Sequence, residues 1–540
     1  MDESTRNRSK GNAQSRTNWL WAAFFLFLAF AFWGGRPISE TSEGRYAEAA
    51  REMFAAKTPG DGVDERGNWL VPAISGQPHL TKPALTYWAI NGGMAIFGVN
   101  AYGARFAHAL AFLGTIGCVF LLGRMWGFRR SQALAACLVY ATAVMPFATG
   151  RVLTTDGLLV FFETLGVLGA WGVWSGARRA GLWRGVFWLA FALAFLTKGP
   201  PSWLPILALI AYWAASGRNT SLRGRLFFHP ITLVYLPLFL LLSFSWYLMV
   251  IQEGHATLGY FLGDELRDRV LTDEHDRNNP PWIYLAVLAL GLGPWSVLWP
   301  RLARKIWSHK SGTGLGTRLR GLAPWQVFSL FWFVLPLTVF LLSKSRLPLY
   351  VAPLFVPLCL AMGKIAVDER WPWFQRQSPG RRRLLLGAGA VWVLGLVLMT
   401  ADPAARLYNR TYKDFGERLA ASGLLADPSV RPYFTFGDAR TTVQFYAGRA
   451  IPALKEGDGD DFSGDEVMLF DHELARSGLR GIYITKESRR DEVDDYERAT
   501  RLLIETEELV AFEFVREVAD SHIPRLKAEE AARRLASGQP

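Results

Sequence analysis

Apolar runs long enough to cross a lipid bilayer recur along the first 400 residues of this chain. A hydrocarbon core near 30 Å thick is crossed by a helix of about 20 mostly apolar residues, and by that measure we count about eleven spans. The predicted spans are 17–34, 103–122, 132–149, 155–174, 183–197, 201–215, 230–250, 282–300, 325–342, 350–364 and 384–400. The 51% share of hydrophobic residues also exceeds that of an ordinary soluble chain. The sequence therefore predicts a polytopic α-helical membrane protein.

Lysine and arginine residues collect in alternate loops, and this bias predicts the orientation of the chain. The tail 1–16 is basic, whereas the loop 252–281 is rich in Asp and Glu. Because short cytoplasmic loops retain Lys and Arg, we expect the tail inside and everything after residue 400 outside, in a multi-pass protein of a bacterial-type inner membrane. A cleaved signal peptide is the alternative for 17–34. The segment Phe32-Trp33-Gly34-Gly35-Arg36 lacks a small-x-small cleavage site, which favours a retained helix.

The charge and the cysteine residues exclude other classes of protein. The net charge of +12 is spread over predicted cytoplasmic loops, where orientation and anionic lipid explain it, so no nucleic-acid partner is expected. Cys118, Cys137 and Cys359 all fall inside predicted spans. Their spacing indicates neither a disulfide framework nor a metal site.

The pattern changes from about residue 404 to short alternating segments separated by charged helical stretches. The predicted strands include Tyr433–Gly437, Val443–Tyr446 and Gly481–Thr485. We expect a transmembrane domain at 17–403, with a first external loop at 35–102, followed by a small external α/β domain and tail at 404–540. The domain has no convincing catalytic set, and we interpret it as an acceptor-docking or stabilising module. Its acidic loop, Glu456–Asp461, lacks calcium-ligand spacing and is predicted to be a solvated turn.

The polar motifs of the membrane part all map to the external side. They are Glu43-Gly44-Arg45-Tyr46, Lys82-Pro83, Arg151–Asp156, Thr197–Pro200, Leu271–Arg277 and Ser343–Tyr350. Each alone is compatible with an interfacial anchor that reaches the lipid headgroups. Their coincidence on one side favours a site that holds a phosphate and moves a proton.

Asp156 is informative because it falls in the first turn of an otherwise apolar helix, with Glu163 two turns later on roughly the same face. An acid within a span is costly, and by default it faces a polar cavity or a partner of opposite charge. We expect Lys198, at the outer end of another span, to be that partner. A buried ion pair that only holds helices together is the structural alternative.

Several motifs, in this order, resemble a known family. They are Ser42 to Met53, Thr81 to Trp88, Phe97 to Asn100 with Arg105, Thr155-Asp156, Thr197 to Pro200, Thr272 to His275, and Arg346 to Tyr350. The chain is similar to the polyprenyl-phosphate-sugar-dependent glycosyltransferases of the GT-C fold. The closest resemblance is to the aminoarabinose transferase branch (glycosyltransferase family 39/83), which is related to protein O-mannosyltransferases.

The resemblance implies a role for each matching residue. Arg45 and Lys82 match residues that contact the donor phosphate, and Tyr350 matches a tyrosine in the same pocket. Asp156 matches a functional carboxylate in the cavity. Glu43 or Asp156 would be the catalytic acid that accepts the proton of an attacking hydroxyl; an ionised phosphate acceptor would need no base. The supporting residues are Tyr46, Lys198, Arg346 and His275.

The implied reaction transfers a sugar from a polyprenyl-phosphate donor to a lipid (lipid A-like), glycan or protein acceptor on the external face, with inversion. Apart from donor, acceptor and membrane lipids no partner is implied, and no cofactor is expected.

Three departures from the family pattern limit this transfer of roles. Ser42 stands where the family often has an acid, and about ten residues around 58–67 are inserted before Asn68. Thr81 and Leu266 occupy the positions where some relatives hold a metal, so no metal is expected by that route. The group Asp273, His275 and Asp276 could bind one, but a hydrogen-bond network in the loop is favoured.

The alternative from another class is a transporter or flippase that moves a lipid-linked sugar without chemistry. Such proteins often have two related halves with matching broken helices. The sequence shows no such symmetry, and the motifs on one face favour the enzyme. A sensor is a third alternative, but the sequence contains no recognisable cytoplasmic output domain.

Overall fold

The structure is a computed structural model that describes residues 18–40, 42–55, 69–215, 226–263, 279–308, 322–369, 378–400, 411–435, 440–454, 464–486, 500–514 and 523–527. Its contacts divide the chain into two compact units. The membrane unit comprises Met1–Arg36 and Leu80–Leu407, and the sheet unit comprises Pro37–His79 and Tyr408–Pro540. The two units therefore divide the loop expected at 35–102. Its residues 37–79 belong to the same unit as the C-terminal part of the chain, and residues 80–102 belong to the membrane unit.

The described α-helices are numbered along the chain. They are α1 (Asn18–Phe30), α2 (Ser42–Ala55), α3 (Leu85–Phe97), α4 (Ala101–Met125), α5 (Arg130–Thr142), α6 (Val144–Thr149), α7 (Thr155–Trp174), α8 (Ala180–Lys198), α9 (Leu204–Ala215), α10 (Thr232–Gln252), α11 (Leu258–Leu262), α12 (Ile283–Gly291), α13 (Trp299–Ser308), α14 (Pro324–Leu342), α15 (Phe355–Asp368), α16 (Pro379–Leu398), α17 (Lys413–Ala421), α18 (Thr441–Ala447) and α19 (Gly464–Arg476). Helices α2, α17, α18 and α19 belong to the sheet unit.

The membrane unit contains, in its described part, six helices that are long and apolar enough to cross a membrane. They are α4, α7, α8, α10, α14 and the segment Pro348–Asp368, which joins a 3-10 turn to α15. A bent pair raises the number to seven. The prediction of a multi-pass helical membrane protein is confirmed.

The span expected at 282–300 is a bent pair of apolar segments. Here α12 ends at Gly291, and the chain turns by 100° before continuing from Trp295. The break contains Gly293-Pro294. Proline lacks the N–H that would continue the helix, and glycine lowers the cost of the turn. Hydropathy detects the apolar length of this segment but not its direction.

Helices α7 and α8 pack closely along their length, and glycine residues permit the approach. A methyl group on Gly169 would lie 2.7 Å from the backbone nitrogen of Phe187, and one on Gly166 would lie 2.5 Å from the ring of Phe191. A short connection joins the two helices, so the start of α7 lies beside the end of α8. This packing places Asp156 next to Lys198.

The sheet unit contains a four-stranded sheet formed by β3 (Val430–Phe434), β4 (Arg480–Lys486), β5 (Thr500–Glu505) and β6 (Leu509–Phe514). The order is β3-β4-β6-β5, with β3 parallel to β4 and the other pairs antiparallel. The short hairpin β1 (Ala73–Ile74) and β2 (Gln77–Pro78) precedes it in the chain.

Predicted strands in this unit had mixed outcomes. Gly481–Thr485 is confirmed within β4, and the strand expected at Tyr433–Gly437 is shifted to Val430–Phe434. The strand expected at Val443–Tyr446 is wrong, because these residues form α18. Gly448 ends α18 in the left-handed conformation (φ 73°), a common helix terminator. The β-branched and aromatic composition of the segment predicted the wrong structure.

Candidate active site

Asp156 lies buried in the first turn of α7. The hydroxyl of Thr154 donates to Oδ2 of Asp156 over 3.1 Å and accepts from the Asp156 amide over 3.4 Å. The start of a helix favours negative charge, because its first amides have no partner within the helix. The local sequence Thr154-Thr155-Asp156 therefore orients one carboxylate oxygen and leaves Oδ1 available.

Lys198, the last residue of α8, uses that second oxygen. Its Nζ lies 2.5 Å from Oδ1 of Asp156, and both side chains are at least nine-tenths buried. The ammonium also lies over the ring of Tyr350, 4.7 Å from the ring centre. The pairing of Asp156 with Lys198 is confirmed, and the structure brings both of them to Tyr350.

Glu163 is a second buried acid on α7, 2% exposed. Lys198 and Asp156 both act on it electrostatically. Its Oε2 has no hydrogen-bond partner among the residues that the structure describes. The membrane unit thus places two carboxylates and one ammonium in a single apolar environment.

Tyr350 and Arg346 follow α14 in a tightly organised turn. The Tyr350 hydroxyl lies 3.4 Å from Oγ of Ser345. Arg346 donates through Nη1 to the Asn279 carbonyl over 2.9 Å, and Nδ2 of Asn279 donates to the Arg346 carbonyl over 2.7 Å. Arg346 therefore ties two segments of the chain together beside Tyr350, which suits a supporting residue.

Tyr284 also lies in this region, although the sequence motifs did not predict it as a site residue. Its side chain is fully buried, and its hydroxyl has no hydrogen-bond partner in the described part of the chain. The rings of Tyr284 and Tyr350 both lie near the ring of Phe340, with centroid distances of 6.5 Å and 6.1 Å. A phenol within an apolar helix was the available signal, but tyrosine is also common at membrane interfaces.

Lys82 lies half-buried just before α3. Its ammonium donates to the carbonyl of Thr81 over 2.6 Å. Helix α3 packs against α4 and α8. The position places a cation just before the first turn of α3.

The remaining motif residues lie in the sheet unit, at the start of α2. Glu43 is buried, and its Oε2 accepts from the Ser39 amide over 3.1 Å. Arg45 is exposed and Tyr46 is half-buried. The first turn of α2 thus fixes Glu43 by a local hydrogen bond and presents Arg45 outward from the helix.

A second charged group follows on α2. Arg51 forms two hydrogen bonds with the carboxylate of Glu48, at 2.6 Å and 2.7 Å. Burial raises the pKa of Glu48 to about 7, against the opposing effect of Arg51. Burial also raises the pKa of Glu52, which accepts from the Ser75 amide over 2.6 Å. Glu52 thereby joins α2 to the turn of the hairpin.

His275, Leu266, Asp273 and Asp276 lie outside the described residues, as do the inserted segment 58–67 and the acidic loop 456–461. Within the described ranges, no group of three or more His, Cys, Asp and Glu side chains could hold a metal ion.

Comparison with known proteins gives matches over most of the chain. Residues 81–246 match the family model described as dolichyl-phosphate-mannose-protein mannosyltransferase. The undecaprenyl phosphate-alpha-4-amino-4-deoxy-L-arabinose arabinosyl transferase of Pseudomonas aeruginosa PAO1 is 31% identical over 397 residues, and transferase 1 of Pseudomonas fluorescens is 29% identical over 395. The alignments cover 71% and 70% of this chain, and 65% of each relative's length.

Solved structures show the same fold. ArnT from Cupriavidus metallidurans bound to undecaprenyl phosphate superposes with a TM-score of 0.73 at 20% identity, covering 93% of this chain and 99% of that one. The mycobacterial arabinofuranosyltransferase AftD has a TM-score of 0.54 at 14% identity, over 92% of this chain and 41% of that one.

The apolar helices and the shared architecture define a polytopic helical membrane protein with the GT-C fold. In sequence the chain is similar to the aminoarabinose transferases over 71% of its length, and the resemblance predicted from its motifs is confirmed.

Proposed function

We propose that this chain is a glycosyltransferase that moves a sugar from a polyprenyl-phosphate carrier to an acceptor on the external side of the membrane. The observation that carries the proposal is the buried Lys198–Asp156 pair beside the Tyr350 ring. It occurs in a fold shared with a protein bound to undecaprenyl phosphate. Fixed polar groups in an apolar environment stabilise charge that develops in a reaction, because they are already oriented and little water competes.

The donor phosphate is the proposed ligand of Arg45, Lys82 and Tyr350. An arginine fork and a lysine point charge suit a phosphate that leaves with negative charge, since one gives paired hydrogen bonds and the other a compact cation. Lys198, Arg346, Tyr46 and His275 have supporting roles in this proposal. The support for these assignments is the match of each residue to a family motif.

The chemical step forms one bond and breaks another at the anomeric carbon. The acceptor oxygen attacks that carbon with inversion, and the bond to the carrier phosphate breaks, so the electron pair leaves with the phosphate. Glu43 or Asp156 takes the proton of an attacking hydroxyl, which requires a carboxylate within hydrogen-bond reach. An acceptor that is already an ionised phosphate needs no base, and the carboxylates then only position groups.

The proposed substrates follow from the names of the matching proteins. Undecaprenyl phosphate-linked 4-amino-4-deoxy-L-arabinose is the first donor to test, and a dolichyl-phosphate-mannose type donor is the second. The acceptor class is a lipid (lipid A-like), a glycan or a protein. We include no cofactor in the reaction.

The proposed topology has about eleven spans, with tail 1–16 cytoplasmic and the α/β domain at 404–540 external. The inner membrane of a bacterial-type cell is its proposed location. Impermeant maleimide labelling tests this, because the three native cysteines are buried. Ser422→Cys should react in intact cells, whereas Arg178→Cys should react only after the membrane is opened. The reverse pattern would refute the orientation.

Turnover in liposomes tests the function itself. Purified protein receives radiolabelled polyprenyl-phosphate sugars and a membrane extract as acceptor, and wild type is compared with Lys82→Ala and Asp156→Asn. Lys364→Ala, which breaks another Lys–Asp pair of the membrane unit, is the matched control. Label that leaves the carrier in wild type and in the control, but not in the two variants, supports the transferase. Label that crosses the bilayer still attached to its carrier would identify a flippase.

A further inference from the structure

Glu40 lies just before α2, and its carboxylate accepts four hydrogen bonds from the first two residues of α18. Its Oε1 accepts from the amide and the hydroxyl of Thr441, over 3.1 Å and 2.7 Å. Its Oε2 accepts from the amide of Thr442 over 3.1 Å and from the Thr442 hydroxyl. Glu40 is 8% exposed, so four donors replace the water that this carboxylate would otherwise bind.

Three further hydrogen bonds join the same two segments within the sheet unit. The Ile38 amide donates to the Tyr446 hydroxyl over 2.8 Å, and Nη1 of Arg51 donates to the Gly448 carbonyl over 2.9 Å. Oγ of Ser75 donates to Oε1 of Gln444 over 3.0 Å. Helix α18 therefore contacts the chain before, within and after α2, although about 400 residues separate them in sequence.

The backbone at the start of α2 leaves little room for movement. A methyl group on Gly44 would lie 2.3 Å from Oγ1 of Thr441. Ser39 holds the same turn from the other side, since its carbonyl accepts from the Gly44 amide over 2.9 Å and its amide donates to Glu43. Ser39, the neighbour of Glu40 in the chain, is thus hydrogen-bonded to both Glu43 and Gly44.

We propose that Glu40 is a positioning residue, and that α18 sets the position of Glu43 and Arg45 through it. The C-terminal part of the chain then serves the reaction by holding the first motif, and not only as an acceptor-docking module. This inference rests on the proposed function, because that function gives Glu43 and Arg45 their roles. The carboxylate of Glu40 itself touches neither donor nor acceptor in the proposal.

Glu40 can hold α18 because its two carboxylate oxygens accept from all four donors of Thr441 and Thr442. Glu40→Gln replaces one acceptor oxygen with an NH2 group that faces the amide and hydroxyl of a threonine. The pair Thr441→Val and Thr442→Val keeps the backbone donors and removes both hydroxyl donors. A buried polar group left without its partner costs free energy, and the segment relieves that cost by shifting. A misplacement of about 1 Å at a reacting group can lower a rate by about 100-fold.

Stability alone is the competing explanation, and the sheet unit contains a matched control. The Tyr483 hydroxyl donates to Oδ1 of Asp471 over 2.8 Å in the core of the same unit. Asp471→Asn replaces the charged acceptor of a buried hydrogen bond there with a neutral one, without changing any residue of α2 or α18. It should lower the unfolding temperature as Glu40→Gln does, but leave turnover of the folded protein within about twofold of wild type.

The experiment combines turnover with hydrogen–deuterium exchange on the full-length protein. We expect Glu40→Gln to lower kcat by about 10- to 100-fold and to speed amide exchange in 42–55, with exchange in β4 and β6 unchanged. The Thr441→Val/Thr442→Val double variant should have the same effects on kcat and on amide exchange. Combining it with Glu40→Gln should lower kcat little further, since all three residues form one contact.

The inference is overturned if Glu40→Gln turns over at the wild-type rate, or if amide exchange in α2 is no faster in Glu40→Gln than in Asp471→Asn. Absence of transfer by wild type would refute the proposed function instead, and the exchange measurement would still decide whether Glu40 holds α2.

Discussion

The ammonium of Lys198 and the carboxylate of Asp156 form a buried ion pair, with 2.5 Å between Nζ and Oδ1. The two residues come from opposite ends of consecutive helices, so the pair joins the end of α8 to the start of α7. Such a pair is a weak source of net stability, because desolvation offsets the attraction. Breaking it is costly, since the remaining charge stays buried.

We therefore expect Lys198→Ala and Asp156→Asn each to lower the free energy of unfolding by about 3 kcal/mol. Each variant should also reduce sugar transfer by about 100-fold or more, because Asp156 is a proposed catalytic residue and Lys198 orients it. Thermal unfolding in detergent and turnover in liposomes measure the two effects separately.

The pair Lys364–Asp368 provides the control for that prediction. Its ammonium lies 2.8 Å from the carboxylate, but both side chains are nearly a quarter exposed. Lys364→Ala should change the unfolding free energy by about 1 kcal/mol or less and leave turnover unchanged. Equal losses in the two pairs would mean that Lys198 has no special role.

Tyr350 allows the ring and the hydroxyl to be tested apart. Tyr350→Phe keeps the ring beneath Lys198 and removes the proposed phosphate contact, so the KM for the donor should rise about tenfold with little change in unfolding temperature. Tyr350→Leu should in addition weaken the position of Lys198, since a cation over an aromatic face contributes about 0.5 to 2 kcal/mol. Steady-state kinetics with varied donor measure this. A donor KM unchanged in Tyr350→Phe would remove the hydroxyl from the phosphate site.

The Lys198–Asp156 pair could be predicted from the sequence because charged residues within apolar helices are few. A buried acid needs a partner, and only a small number of cations lie at the right ends of the spans. The helical class was predictable for a similar reason, since the bilayer fixes the length of each apolar run.

The parts that could not be predicted depend on distant contacts. Helix α18 begins where Glu40 accepts from Thr441 and Thr442, and no local pattern near Val443 reveals that contact. The β-strand propensity of these residues favoured a strand, but tertiary contacts override such propensity. Tyr284 was missed because its burial depends on packing across several helices.

Close packing of α5 against α15 predicts a sharp difference between two glycine substitutions. A methyl group on Gly363 would lie 2.3 Å from the backbone nitrogen of Ala136, and the backbone of a packed helix cannot move aside cheaply. Gly363→Ala should therefore lower the unfolding free energy by about 1 to 3 kcal/mol. Gly389→Ala on α16 is the control, because no atom lies within 4 Å of the added methyl group. Equal unfolding temperatures for the two variants would contradict this packing.

The pH dependence of stability provides a test of the buried acid on α2. Burial raises the pKa of Glu48 from 4.5 to about 7 in the folded chain. The folded state then binds this proton more tightly than the unfolded state, so protonation stabilises the fold. The contribution is complete below about pH 4.5 and is lost as the pH rises through about 7.

Between pH 5 and 8, the unfolding temperature of the sheet unit should therefore fall more steeply in wild type than in Glu48→Gln, which mimics the protonated acid. Glu52, whose pKa burial also raises, adds to the slope in both proteins. Glu473→Gln is the control, because a hydrogen bond from Lys527 lowers the pKa of that carboxylate and moves its titration below this interval. Thermal unfolding followed across the pH range gives the slopes. Parallel curves for wild type and Glu48→Gln would mean that Arg51 keeps Glu48 ionised throughout, and that the ion pair outweighs burial at this position.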